Sequence, residues 1–167
     1  PFLAFDFSSL RDTLYTLKDS FIEVNLETQH AYLYTREGEK FTYKISTGTD
    51  KVERGVKTKE GIFVVQSLMP KWHSRQFDST LLLNWIGFNY GIGFHALLGD
   101  GYYEHLGIRK SSHGCVRISR EDGKHLYSRV SLGTPVLVHY QNNAVFFGFG
   151  DSINSYNYYS YREMPEV

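Results

Sequence analysis

The chain has 167 residues, enough for one domain with its own hydrophobic core. Lys and Arg total 18 and Asp and Glu total 18, so no global field favours nucleic acid or a membrane surface, and any charge used in function is local. No stretch reaches the roughly 20 apolar residues that span a bilayer. No signal peptide is visible, and the opening on Pro1 rather than Met is what a processed or trimmed N-terminus would give. The 13 Tyr and 12 Phe, together with many short Val, Ile, Tyr and Thr runs, argue for a mainly β fold.

Residues 1–19 lack a clean period and read as an arm or linker, with Ser8 and Ser9 placed to cap a short helix over 10–17. Residues 21–26 alternate, with Glu23 and Asn25 on one face. A turn around Thr28 and Gln29 leads to a strand over 31–35, Gly38 marks the next turn, and 40–47 alternates again. This is a β-meander. Residues 50–61 are polar and rich in Lys and Glu, a surface loop that feeds a strand over 62–65. Residues 68–80 read as loop and 81–88 as a strand with a largely buried face. Gly87, Gly91, Gly93, Gly99, Gly101 and Gly107 then punctuate a winding segment that lacks the G-x-G-x-x-G of a dinucleotide fingerprint. The spacing predicts one helix over 120–129, capped by Ser119, with Glu121 and Asp122 in its first turn and Arg129 in its last. A strand over 136–140 follows, then a hairpin through Asn142 and Asn143 into 144–149. The Tyr-rich tail from 150 reads as a flexible aromatic terminus or a partner surface.

The only cysteine, Cys115, lies in Ser111-Ser112-His113-Gly114-Cys115-Val116-Arg117. A single thiol forms no internal disulfide, so the count fixes no redox compartment. Free cysteine is often just a small buried hydrophobe. With Ser-His-Gly before it and arginine behind, it is instead a candidate nucleophile, which needs a base for its proton and donors for an oxyanion. Gly114 permits tight backbone geometry, so that the amides of 114 and 115 can turn inward. His113, two residues upstream, shares a side with Cys115 on an extended chain, about 6.5–7 Å away at the backbone. It is a neighbour rather than an automatic hydrogen-bond partner. His95, in Gly93-Phe94-His95-Ala96, is the other candidate base if its segment pairs with that of Cys115. His30, His73, His105, His125 and His139 read as surface or core histidines. Arg117 also faces the side of Cys115 and suits either a substrate carboxylate or a surface ion pair. Tyr90, Tyr102 and Tyr103 are cleft-lining or packing residues. His95, Asp100, His113 and Cys115 lack zinc-ligand spacing, so no metal is expected.

The run Ser112-His113-Gly114-Cys115-Val116-Arg117, with His95 standing 20 residues before the cysteine, resembles the signature of the YkuD-type L,D-transpeptidases, a family of bacterial cell-wall enzymes. Weaker pieces fall in the same order. Residues 22–26 and 31–34 resemble the family's opening hairpin, Ser46-Thr47-Gly48 its S-x-G turn, Thr58-Lys59-Glu60-Gly61-Ile62-Phe63 its T-P-x-G-x-[FY] element, and Gly133-Thr134-Pro135-Val136 its closing strand. Lys59 stands where proline is usual, and Ala96 where glycine commonly follows the histidine. The likeness covers about residues 20–140, which divides the chain into an arm (1–19), a catalytic domain (20–140) and a C-terminal hairpin with an aromatic tail (141–167).

The resemblance implies a mixed β-sandwich with one or two short helices and the thiol in a cleft. It implies a periplasmic or other extracytoplasmic setting, peptidoglycan stem peptides as substrate, a part in cell-wall biogenesis and cell shape, and no cofactor. Cys115 would be the nucleophile and His95 the base, with His113 supporting the site. Gly114 and the neighbouring amide would hold the oxyanion, the Ala96 carbonyl would orient the imidazole, and Ser112, Arg117 and Tyr90 would line the substrate site. The acyl-enzyme would pass to an amine (another stem peptide, a D-amino acid or a lipoprotein) or to water, as in an L,D-carboxypeptidase. A catalytically inactive wall-binding module and an interaction protein organised by the aromatic tail are the competing readings.

Overall fold

Period-two alternation puts Ile22, Val24, Ala31, Leu33, Tyr43 and Ile45 on one face of three consecutive strands, and that face is buried. The computed structural model describes residues 12–74, 79–141 and 145–151. In chain order the strands are β1 (Asp12–Thr16), β2 (Ser20–Asn25), β3 (His30–Thr35), β4 (Lys40–Ser46), β5 (Gly61–Val64), β6 (Ser67–His73), β7 (Leu81–Asn89), β8 (Ile92–Leu97) and β9 (Val116–Ile118). Helix α1 (Arg120–Arg129) precedes β10 (Pro135–His139) and β11 (Val145–Phe149).

Nine of these strands form one mixed sheet in the order β5-β10-β2-β3-β4-β9-β8-β7-β6. The antiparallel run β2-β3-β4 is the meander read from the sequence. β10 returns parallel to β2 and antiparallel to β5. A short pairing of Ile45 and Ser46 in β4 with Ile118 and Arg117 in β9 joins the two halves. The sheet curls on itself, so that Phe63 of β5 and Phe88 of β7 meet with ring centroids 5.6 Å apart. The expected mainly β, sandwich-like layering is thus made by one curled sheet. α1 packs Leu126 into its core, and the Asp122 N–H donates to Ser119 Oγ at 3.1 Å, the cap its sequence specified.

Four local expectations change. Residues 12–16 form a strand, not part of a helix, because β11 lies beside them as a parallel partner from Asp12↔Val145 to Thr16↔Phe149. Residues 8–11 of the anticipated helix lie outside the described residues. β11 does not pair back on β10, whose two edges are already taken by β2 and β5. Instead Phe147 and Phe149 of β11 each pack on Phe21, with centroids 5.3 Å apart. The anticipated turn at 142–144 and the tail from 152 lie outside the described residues. The segment read as loop contains strand β6. Pro70 lies within β6, which is the edge of the sheet, where a missing N–H leaves no ladder bond unmade. The glycine-rich segment contains β8, where Gly87 and Gly93 face each other across the hairpin. A Cβ on Gly93 would stand 2.4 Å from the Ile86 carbonyl oxygen, so glycine is needed for the two backbones to close.

Phe88 is fully buried between Phe63 and Phe94, at the place where the curl closes. Phe88→Ala should lower unfolding free energy by about 3–5 kcal/mol, measured by urea denaturation. A loss under about 1 kcal/mol would mean that the closure does not depend on this packing.

Candidate active site

The loop that carries the cysteine is held by main-chain bonds to the end of β4. The N–H groups of Ser111 and Ser112 both donate to the Thr47 carbonyl at 3.1 Å, and the Thr49 N–H donates to the Ser112 carbonyl at 3.0 Å. Gln29 fixes Thr47 in turn. Its Oε1 accepts from the Thr47 N–H at 2.8 Å, while its Nε2 donates to the Leu26 carbonyl at 2.7 Å. Gly48 then passes directly over Gly114. A Cβ on Gly48 would stand 2.5 Å from Gly114 Cα and 2.3 Å from the Val56 carbonyl oxygen. Gly114 has φ of +140°, a conformation that side chains rarely adopt.

Thr58 locks this crossing. Its hydroxyl accepts from the Gly48 N–H at 2.9 Å and donates to the Gly114 carbonyl at 2.7 Å. A trans peptide puts carbonyl and N–H on opposite sides. With the Gly114 carbonyl taken by Thr58, the Cys115 N–H points away from it. Ser112 closes the turn from within: its hydroxyl accepts from the Gly114 N–H at 3.2 Å and donates to the Cys115 carbonyl.

The parallel pairing of β8 with β9 sets His95 beside Arg117 and Phe94 beside Val116. His95, Ser112, His113, Cys115 and Arg117 consequently line one cavity of about 240 Å³, walled by Trp72 and Trp85. His95 is buried, with its ring centroid 6.4 Å from that of Trp85 in a stacked arrangement. His95 Nδ1 lies 3.3 Å from the Ala96 carbonyl oxygen. A carbonyl only accepts, so Nδ1 carries the proton and Nε2 keeps the lone pair. Burial pushes the His95 pKa down to about 4, the Ala96 carbonyl opposes that shift, and the Arg117 charge adds to it.

The Cys115 thiol donates to the Gly91 carbonyl at 3.6 Å. Burial pushes its pKa up, against a backbone hydrogen bond from Gly93 and the charge of Arg117. Arg117 donates to the Ser111 carbonyl at 3.3 Å, and its Nε is buried with no partner among the described residues. Burial lowers the Arg117 pKa, while negative charge on Cys115 would raise it. Among the described residues no Asp or Glu lines this cavity. At neutral pH the imidazole and the thiol therefore rest as a neutral pair.

Of the sequence-derived candidates, Cys115, His95, His113, Ser112 and Arg117 come together. Gly114 lies buried behind the thiol, and Tyr90 is almost fully exposed on the rim of a second cavity that also reaches Cys115. Ala96 lines neither cavity. Its methyl lies toward Gly123 of α1, so alanine takes no room from the space beside His95. His125 bonds the Tyr43 hydroxyl at 2.8 Å and His139 pairs with Glu23 at 2.8 Å; neither lines the cavity. Among the described residues no three His, Cys, Asp or Glu side chains are grouped to hold a metal ion. Trp72 and Trp85 were missed as site residues. Trp72 lay in the supposed loop, and only an edge-strand reading around Pro70 would have recovered it.

The YkuD family model, the L,D-transpeptidase catalytic domain, matches residues 19–138. The chain belongs to this family. It is similar to YciB of Bacillus subtilis (strain 168), named as a candidate L,D-transpeptidase, with 28% identity over 130 residues that make up 72% of this chain and 66% of that protein. An L,D-transpeptidase structure from Stackebrandtia nassauensis superposes with a TM-score of 0.62 at 25% identity, covering 75% of this chain and 58% of that one. The Ldtfm–avibactam carbamoyl enzyme superposes with a TM-score of 0.60 at 28% identity, covering 75% and 50%. The chain thus spans less than two thirds of the length of these relatives.

Two measurements test this YkuD site. Thr58→Val leaves the Gly48 N–H and the Gly114 carbonyl without their shared hydroxyl, and should cost about 1–3 kcal/mol of stability by denaturant unfolding. An unchanged midpoint would show that the clamp carries no energy. Because the Cys115 thiol is pushed up, its alkylation by iodoacetamide should rise about tenfold per pH unit through neutrality. A plateau below pH ~7 would reveal a thiolate at rest instead.

Proposed function

We propose that this chain is a cysteine-dependent L,D-transpeptidase that acts on peptidoglycan stem tetrapeptides through an acyl-enzyme. The observation that carries this reading is that Cys115 and His95 open on one cavity, with His95 Nδ1 turned to the Ala96 carbonyl so that Nε2 is the basic nitrogen. Membership of the L,D-transpeptidase catalytic-domain family supports it, as does the carbamoyl enzyme that the similar Ldtfm forms with avibactam.

On this reading Cys115 Sγ attacks the carbonyl between the L-configured centre of meso-diaminopimelate or L-Lys and D-Ala. A C–S bond forms and the thiol proton passes to His95 Nε2. The Cys115 N–H, opposed to the Thr58-held carbonyl, is placed to donate to the oxyanion. The C–N bond then breaks and His95 returns the proton to the amine of D-Ala. An acceptor amine attacks the thioester, His95 takes its proton, and the thiol is restored. A second stem peptide gives a 3-3 crosslink, and a free D-amino acid gives an exchanged terminus. Water gives the L,D-carboxypeptidase outcome. Arg117, a half-buried cation with an Nε unpartnered and no carboxylate beside it in the cavity among the described residues, suits the carboxylate of the donor's terminal D-Ala. His113 lines the same cavity and supports the thiol rather than acting as the main base. Such a substrate would place the protein in the extracytoplasmic envelope.

The test is incubation with disaccharide-tetrapeptide muropeptides, with and without a D-amino acid, beside a Cys115→Ala control, followed by mass analysis. A Cys115-dependent 3-3 dimer or exchanged terminus is expected. Loss of D-Ala alone would favour the carboxypeptidase. No change under any condition would favour an inactive wall-binding module. In the same assay His95→Ala should lower the rate by about 10²–10⁴-fold while His125→Ala leaves it near the parent. Equal effects would move the base away from His95.

A further inference from the structure

Cys115 is approached from two sides, and the two approaches differ in chemistry. The first is the aromatic cavity of His95, Trp72 and Trp85. The second, of about 490 Å³, is bordered by Arg54, Lys57, Lys59, Tyr90, His113 and Cys115. Among the described residues no Asp or Glu lines it. Arg54 and Lys59 form no ion pair among the described residues, and Lys57 has only the exposed Asp50 at 3.2 Å. In a chain whose 18 cations are balanced by 18 anions, this is a local excess of positive charge against the nucleophile.

The cations are held in place by the same clamp that holds the cysteine. The Val56 N–H donates to the His113 carbonyl at 3.3 Å, and the Gly55 N–H closes a turn on the Val52 carbonyl at 2.9 Å. Thr58, between Lys57 and Lys59, is bonded to the Gly114 carbonyl. Arg54 and Tyr90, which both line the cleft, have left-handed backbones, with φ of 55° and 51°. The three side chains thus project from a fixed wall whose distance from Sγ is set by the fold.

Resting on the acyl-transfer reading of Cys115, we propose that this second cleft binds the acceptor peptide and selects one with free carboxylates over its carboxamide counterpart. A carboxylate and a carboxamide have the same shape, so shape alone does not separate them. The unpaired Arg54 and Lys59, with Lys57 beside them, do, because amidation removes the charges they would meet. Exposed ion pairs are individually weak and screened by salt. The preference therefore arises from the three together and falls as ionic strength rises.

The experiment uses the Cys115→Ala protein, so that binding is read without turnover. The probes are the tripeptide L-Ala-γ-D-Glu-meso-diaminopimelate and the same peptide with its D-Glu and diaminopimelate carboxylates amidated, titrated calorimetrically at low salt. The free acid is expected to bind about tenfold tighter. Adding salt to roughly 0.5 M should shrink that ratio. Arg54→Gln, Lys57→Gln and Lys59→Gln combined should bring it to about one. Lys59→Glu alone should lower it about threefold, and serves if the triple variant unfolds. Equal binding of the two peptides by the Cys115→Ala protein would overturn the proposal, as would a preference that survives the charge substitutions. Muropeptide turnover by the intact protein without any such preference would remove this inference and leave the transpeptidase reading standing. A charge-dependent preference with no turnover would remove the transpeptidase reading and the acceptor role with it, leaving a carboxylate-selective peptide cleft.

Discussion

The crossing of Gly48 over Gly114 sets the position of the turn that carries Cys115. Two backbones meet there at a distance that no side chain permits, and Thr58 bridges them with one hydroxyl that both accepts and donates. The crossing couples three parts of the chain: the end of β4, the basic loop at 50–60 and the turn before β9. It orients the 114–115 peptide, and so the Cys115 N–H, before any substrate arrives. Such preorganisation is what makes backbone donors effective toward a developing oxyanion. Gln29 and Ser112 satisfy the remaining polar groups around the crossing, so the buried turn carries few unmet hydrogen bonds.

The electrostatics follow from burial. A thiolate and an imidazolium in this pocket would each lose solvation, and among the described residues no carboxylate lines it to stabilise the imidazolium. The neutral forms win, with His95 pushed down and Cys115 pushed up. A histidine that stays neutral can still act as base, provided that the correct nitrogen is free. The contact of Nδ1 with the Ala96 carbonyl decides that point by geometry rather than by charge. Arg117 supplies the cation of this cavity, and negative charge formed on sulfur would meet it.

The two sides of the thiol carry different selectivity. Trp72 and Trp85 give one side apolar walls, while Arg54, Lys57 and Lys59 give the other side charge. An overall charge of zero conceals this division. The curl of the sheet produces it, because β6 and β7 supply the tryptophans from one end of the sheet and the loop before β5 supplies the cations from the other.

Much of this was legible in the residues. Alternation gave the β2-β3-β4 meander, Ser119 and the acidic first turn gave α1, and the Ser-His-Gly-Cys run with a histidine upstream gave a candidate nucleophile and a candidate base. These are local signals: a period, a cap and a motif each lie within a few residues. What sequence could not supply depended on partners distant in the chain. A helix over residues 10–17 was a fair local reading until β11 provided a strand beside residues 12–16. Residues 68–80 read as loop, and β6 forms there as an edge strand against β7. The resemblance to a known family named His95 as the base, but its burial and the proton on Nδ1 came from β8 lying parallel to β9 under Trp85. Sequence by itself determined which groups can react, because reactivity belongs to residue types and near neighbours. The tertiary structure decided their protonation and what surrounds them, because solvation and charge are set by whichever segments the curled sheet brings together.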